Sequence, residues 1–277
     1  MPTLPSDPPS PTPEPHRYRQ MAESFGVDTS RYDRTRQPYP QALVDRIVAA
    51  SPGRDVLDVG CGTGIAARQF QAAGCDVRGV EPDSRMADFA RRHGTPVEVA
   101  TFEDWEPGDA TFNTVIAATA WHWIDPAIGA AKAARLLRPG GLFAALWHAF
   151  QTPAQVQEAV ATAYERIVPD SPVDLRATGS LQDAYRPILS KAADALRATS
   201  AFGDVEEWRY RWQRSYTRDE YLDQLPTQGI FTGLETERLS PLLAAVGSAI
   251  DEYCGGGFVM EYSTVALTAV RRPLTES

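Results

Sequence analysis

The hydrophobic positions of this chain fall into short β-rich runs separated by amphipathic stretches of helical length. The runs are Asp55 to Val59, Asp76 to Val80, Val97 to Ala100, Thr114 to Ala118 and Leu142 to Trp147. Between them the spacing predicts helices over Ile65 to Ala73, over Ser84 to His93 behind an Asp83 cap, and over Ile128 to Leu137, which Pro139, Gly140 and Gly141 stop. An earlier helix, Gln41 to Ala50, sets Leu43, Ile47 and Val48 on one face. Strands alternating with helices in this rhythm predict βαβ crossovers and a doubly wound α/β sheet.

After Trp147 the rhythm changes. Pro153 to Val168 and Leu181 to Thr199 both carry helical periodicity before another strand is reached, so residues 151–200 read as a helical insertion. Val205 to Trp212 alternates, with Trp208, Tyr210 and Trp212 on one face and Glu207, Arg209 and Arg211 on the other, which predicts a half-buried strand. Helices over Arg218 to Leu225 and Thr236 to Tyr253 and a strand over Phe258 to Val270 follow. At the other end, residues 1–16 are dense in proline and poor in apolar side chains, so they read as a disordered tail. Residues 17–40 mix aromatics with arginines and end in Pro38 and Pro40, predicting a short helix and an ordered loop. That segment and the insertion are expected to form a lid on a single domain spanning residues 17–277.

The most informative segment runs from Val56 to Gly64, VLDVGCGTG, where an apolar strand enters a loop with glycine at every second position and then a helix. Such a loop lets backbone approach a ligand, because glycine has no Cβ and tolerates positive φ. Dinucleotide folds use Gly-x-Gly-x-x-Gly, whereas the spacing here is Gly-x-Gly-x-Gly. Glu81 closes the second strand about 20 residues later, where a carboxylate accepts both hydroxyls of an adenosine ribose and repels a 2′-phosphate.

These residues, with the turn Thr101 to Trp105 and the run Leu136 to Gly141, resemble the class I S-adenosylmethionine-dependent methyltransferase family over roughly Phe25 to Trp147. Phe25 to Pro40 and Trp121-His122-Trp123 resemble its small-molecule branch, which includes trans-aconitate methyltransferase-like proteins. The resemblance implies a mostly parallel, seven-stranded Rossmann-like sheet with an antiparallel last strand and S-adenosyl-L-methionine as cofactor. It implies that Gly60, Gly62 and Gly64 border the methionine part, that Asp58 holds the amino group, and that Glu81 binds the ribose. Thr101, Phe102 and Glu103 stand where the family holds adenine, with Phe102 or Pro82 giving apolar contact, although the commoner Asp-Ala pair is replaced here by Thr101-Phe102. Ala118 and Thr119 face the sulfonium, Tyr32 and Arg36 close over the cofactor with Arg36 toward its carboxylate, and Trp121 is counted with this group.

The expected reaction is methyl transfer to a small-molecule acceptor by direct in-line displacement, which asks the protein mainly for positioning. His122, just beyond the fourth strand, is the candidate general base; the competing reading of Trp121-His122-Trp123 is an aromatic wall. Cys61 reads as a small filler of the glycine loop. Two rival functions remain open: a cofactor-binding regulatory protein without turnover, and a nicotinamide oxidoreductase, against which the glycine spacing counts. Neither the choice among O-, N- and C-methylation nor that between monomer and homodimer is set by the residues.

Composition narrows the partners. A net charge of -9 disfavours nucleic acid and anionic lipid surfaces. Three widely spaced cysteines form neither a disulfide framework nor a zinc pattern, and with no secretory leader or membrane-length apolar run they point to a cytoplasmic protein.

Overall fold

The computed structural model describes residues 24–169, 171, 175–176 and 181–273. The expected tail at 1–16 lies outside them. Seven strands form one sheet: β1 (Asp55–Val59), β2 (Asp76–Glu81), β3 (Val97–Val99), β4 (Phe112–Ala118), β5 (Leu137–Gln151), β6 (Phe202–Thr217) and β7 (Gly257–Arg271). Their order is β3-β2-β1-β4-β5-β7-β6. The strands β1 to β5 pair in parallel, while β7 is antiparallel to both β5 and β6. The doubly wound sheet with its antiparallel last strand is therefore present.

Strand alternation assigns the two faces. Val56, Val77, Ile116 and Leu142 pack under α2 (Gln41–Ala50) and α3 (Ile65–Ala72), through Leu43, Ile47 and Phe70. Leu57, Val59, Val115 and Phe143 face the opposite way, toward α5 (Pro126–Leu136) and α7 (Leu181–Ala198). The helix α5 begins two residues before the periodicity suggests, because the Asp125 carboxylate caps the amides of Ala127 and Ile128 at 2.9 and 3.0 Å with Pro126 in the first turn. As expected, the β6 face bearing Glu207, Arg209 and Arg211 is exposed while Trp208 is buried, with Arg46 stacked 3.8 Å from its ring.

A third apolar cluster sits beyond the sheet's carboxyl edge. The far ends of β6 and β7 overrun the parallel strands and carry Tyr216, Phe258, Met260 and Tyr262 into contact with α6 (Ala154–Ile167), α8 (Arg218–Gln224) and α9 (Thr236–Cys254). This corrects the expected lid. Of the insertion at 151–200, α6 roofs this region, but α7 belongs to the body, where Leu189, Ala192 and Leu196 are buried against the sheet. The helices α8 and α9, read only as later additions, complete the lid.

The segment ahead of α2 contains α1 (Thr29–Thr35) and lies across both parts. It is tied to the body by Asp33 on Arg68 at 2.6 Å and by Tyr39 backbone on the Gln69 amide at 2.8 Å, and to the lid by Arg34 on Asp223 at 2.7 Å.

Candidate active site

A cavity of about 490 Å³ opens between the carboxyl ends of β1, β2 and β4 and the lid. Such a position at the edge of a doubly wound sheet is where these folds bind ligands. Its floor comprises Gly60 and Gly62, Glu81 and Pro82, Thr101 to Glu103, and Ala118 to Ala120; Tyr32 and Arg36 close one side.

The floor is held by backbone geometry. Gly60 and Gly62 lie at φ +64° and +56°, which only glycine adopts without strain, and a Cβ at Gly60 would sit 2.5 Å from the Ala120 methyl. The Glu81 carboxylate accepts the Gly62 amide at 2.8 Å and the Asp83 amide at 3.0 Å, joining the loop after β1 to the end of β2. Burial pushes its carboxyl up to about 7, against the pull of those amides. Thr119, at φ +57°, anchors the end of β4 through its amide on Leu146 and its hydroxyl 2.7 Å from the Tyr39 hydroxyl. The Lys132 ammonium donates to the Glu103 carbonyl at 3.1 Å and also bonds the Trp105 carbonyl, fixing the turn at 101–105.

Asp58 lies on β1 with 0% exposure, and neither carboxylate oxygen has a hydrogen-bond partner of good geometry. Burial, reinforced by the nearby Glu81, raises it to about 8, with the Ala67 amide opposing. Arg36 stacks on Tyr32 at 4.7 Å and bonds the Thr227 carbonyl, but its buried Nε is unpartnered.

Three expectations change. Gly64 does not border the cavity: it precedes α3 at φ +86°, and its missing Cβ points to Ala90 and Thr95 at 3.2 and 3.3 Å. Asp58 is sealed beneath the loop and does not line the cavity, since it points to the α3 face. Trp121 turns into the core rather than toward a ligand, packing edge-on to Phe143 at 4.6 Å beneath Gly129, because the tight turn Trp121–Trp123 sends its first side chain under α5. Glu103 lines the cavity, but one of its oxygens caps the Asp125 amide at 2.9 Å. Cys61 is buried against Gly79 with its thiol pushed up by burial, in keeping with a filler.

Residues 57–145 match the family of methyltransferase domains. Over that segment the chain is similar to methyltransferases. It is 38% identical over 133 residues to an uncharacterised methyltransferase of Mycobacterium tuberculosis, covering 47% of this chain and 54% of that one. It is 30% identical over 138 residues to a ubiquinone biosynthesis O-methyltransferase of Aromatoleum aromaticum, covering 46% and 58%. The chain thus spans about half the length of the curated relatives it matches. A solved structure from Anaeromyxobacter dehalogenans, assigned to the type II methyltransferases, shares the fold with a TM-score of 0.62, 24% identity, and coverage of 86% of this chain and 99% of that one. A structure from Anabaena variabilis, assigned to an antibiotic-pathway methyltransferase, gives 0.56, 17%, 82% and 96%.

The lid side of the cavity was not legible in the sequence. Phe25, Phe150, Tyr221 and Phe231 line it, with Tyr185 reaching in from α7, and in sequence they cannot be told from core residues of amphipathic elements; Trp123 lines it too, as the aromatic-wall reading expects. Val59, Val80, Met86 and Ala120 are floor residues the sequence reading missed, Met86 lying three positions after the Asp83 cap. Among the described residues, no helix is long and apolar enough to cross a membrane.

Proposed function

We propose that this chain is an S-adenosyl-L-methionine-dependent methyltransferase acting on an apolar, ring-bearing small molecule. One observation carries the reading: a single cavity joins a glycine-and-carboxylate floor of adenosine-binding type to an aromatic roof. The residues present fit the cofactor. An uncompensated buried carboxylate at Asp58 and an unpartnered guanidinium nitrogen at Arg36 are costly as isolated groups. An amino acid's ammonium and carboxylate are complementary to them.

Glu81 would hold the ribose hydroxyls, the turn Thr101 to Glu103 with Pro82 the adenine, and Gly60 and Gly62 the methionine chain. Asp58 would act on the ammonium from beneath the loop. The bound cofactor supplies an electrophilic methyl group whose bonding pair returns to sulfur as the acceptor attacks. Ala118 and Thr119 leave the end of β4 free of bulk, Thr119 being pinned back by Tyr39. The roof excludes water and orients the acceptor, so positioning supplies the rate. A roof whose polar groups, among them Gln157, Gln228 and the Tyr185 and Tyr221 hydroxyls, are uncharged favours a neutral or weakly acidic molecule over a polyanion.

The test is calorimetry with S-adenosylmethionine and S-adenosylhomocysteine, followed by transfer of labelled methyl to a panel of phenols, enols and amines with apolar bodies. Micromolar uptake of both ligands and labelled product are expected. A purified, folded protein that takes up neither ligand overturns the reading, and uptake without product from any acceptor favours a regulatory role.

A further inference from the structure

His122 stands at the join between floor and roof, and its two ring nitrogens differ in surroundings. Nδ1 lies 3.2 Å from Nε1 of Trp147, a side chain 1% exposed at the core of β5. An indole N–H can only donate, so Nδ1 must offer its lone pair, and the neutral ring must carry its proton on Nε2. Protonating the ring would set N–H against N–H. Burial acts the same way, holding the imidazole down to about 4. Nε2 itself has no protein partner among the described residues and is not sealed off, and the residue lines the cavity.

We propose that Trp147 fixes His122 as a neutral Nε2–H donor, so that the histidine holds an acceptor oxygen in place rather than taking its proton. Trp147 is then a positioning residue acting through His122. Other bases on this side are scarce. The carboxylates among the described lining residues, Glu81 and Glu103, are engaged by the backbone amides of Gly62, Asp83 and Asp125. Burial pushes the hydroxyls of Tyr185 and Tyr221 up, away from the ionised form. The acceptor class follows, resting on the proposed function: an apolar ring compound whose oxygen is already ionised near neutral pH, such as an acidic phenol or enol, and not an amine. This replaces the candidate general base of the sequence reading with a hydrogen-bond donor.

The test uses the full chain saturated with S-adenosylhomocysteine. Imidazole ¹⁵N spectra of histidine-labelled protein, assigned with His122→Gln, should show the Nε2–H tautomer at pH 7. The probe 4-nitrophenol, read by its visible spectrum, should bind as phenolate in preference to phenol by about 10-fold or more, the size of one hydrogen bond to a charged group. His122→Gln keeps an N–H and should hold that preference within about threefold, whereas His122→Phe should abolish it. Trp147→Phe keeps an aromatic ring, though a smaller one, loses the donor, and should mix the tautomers and cut the preference several-fold. An Nδ1–H tautomer, preferential binding of the neutral phenol, no binding of either form, or an unchanged Trp147→Phe would each overturn the proposal. If Trp147→Phe does not fold, the His122 pair decides. Failure of S-adenosylhomocysteine to bind would sink the methyltransferase reading instead, while the imidazole spectrum of the free protein would still decide the tautomer.

Discussion

Replacing Glu81 by glutamine tests the floor of the cavity most directly. The carboxylate accepts two backbone amides, from Gly62 at 2.8 Å and Asp83 at 3.0 Å, and has lone pairs left for two ribose hydroxyls. A glutamine oxygen can serve only part of that set, and its amino group confronts donors with a donor. Hydrogen bonds to a charged acceptor contribute about 1.5–3 kcal/mol, so the Kd for S-adenosylhomocysteine should rise by about 10- to 150-fold. Stability should change less, because losing one amide contact costs about 1–3 kcal/mol while removing a buried charge gives part of that back. The pH dependence supplies a second signature. Burial raises Glu81 to about 7 in the free protein, and hydroxyl donors favour its ionised form, so its component of wild-type affinity should climb up to tenfold per pH unit below 7 and level off above, leaving the Asp58 component to rise toward 8. Glu81→Gln should lose that component and keep the one from Asp58, moved downward because the Glu81 charge no longer raises it. The assay is calorimetry from pH 5.5 to 9. A Kd within threefold of wild type, with the same pH profile, would refute the ribose assignment.

Three further outcomes follow from the same geometry. Asp58 and Glu81, raised from 3.8 and 4.5 to about 8 and 7, take up protons on folding, whereas His122 and His148, lowered from 6.5 to about 4, release them; the two effects offset below about pH 6.5, so stability should fall mainly as pH rises from about 6.5 through 8, read as a declining urea midpoint. Saturating S-adenosylhomocysteine should reverse part of that decline. Gly62→Ala forces an L-residue to φ +56° and should cost about 1–2 kcal/mol in a denaturant melt while weakening cofactor uptake; a neutral effect on both would remove the loop argument. In the native state a thiol reagent should modify half-exposed Cys254 first and Cys61 last, with mass spectrometry giving the order.

The sheet was readable because period-2 and period-3.6 patterns alternate cleanly through β5. Glycines at 60 and 62 were readable because backbone conformation dictates residue type there. Gly64 and Trp121 misled for the same reason: a motif names which residues occur together, not which way each points. A three-residue turn sends Trp121 into the core and leaves the next two residues at the cavity. The lid was the least legible part, since its cluster joins α6, α8 and α9 to strand ends distant in sequence. Apolar periodicity shows that a face is buried but not against what. The contact that bears on the His122 role was not legible, because Trp147 looks like an ordinary core tryptophan until the fold brings its indole N–H to the ring.

The long antiparallel pair of β6 and β7, a hairpin closed through α8 and α9 rather than a turn, serves two masters. Tyr216 and Met260 at one end belong to the roof, while Phe202 and Ala269 at the other lie in the body. Ladder pairing from Val205–Ala269 to Thr217–Gly257 links those ends, so loosening of the roof on this side should be felt in the body. Heating should therefore give one calorimetric transition rather than two. New acceptor preferences would then arise more readily by swapping roof side chains than by loosening the roof, since slack introduced there would propagate along the hairpin into the sheet.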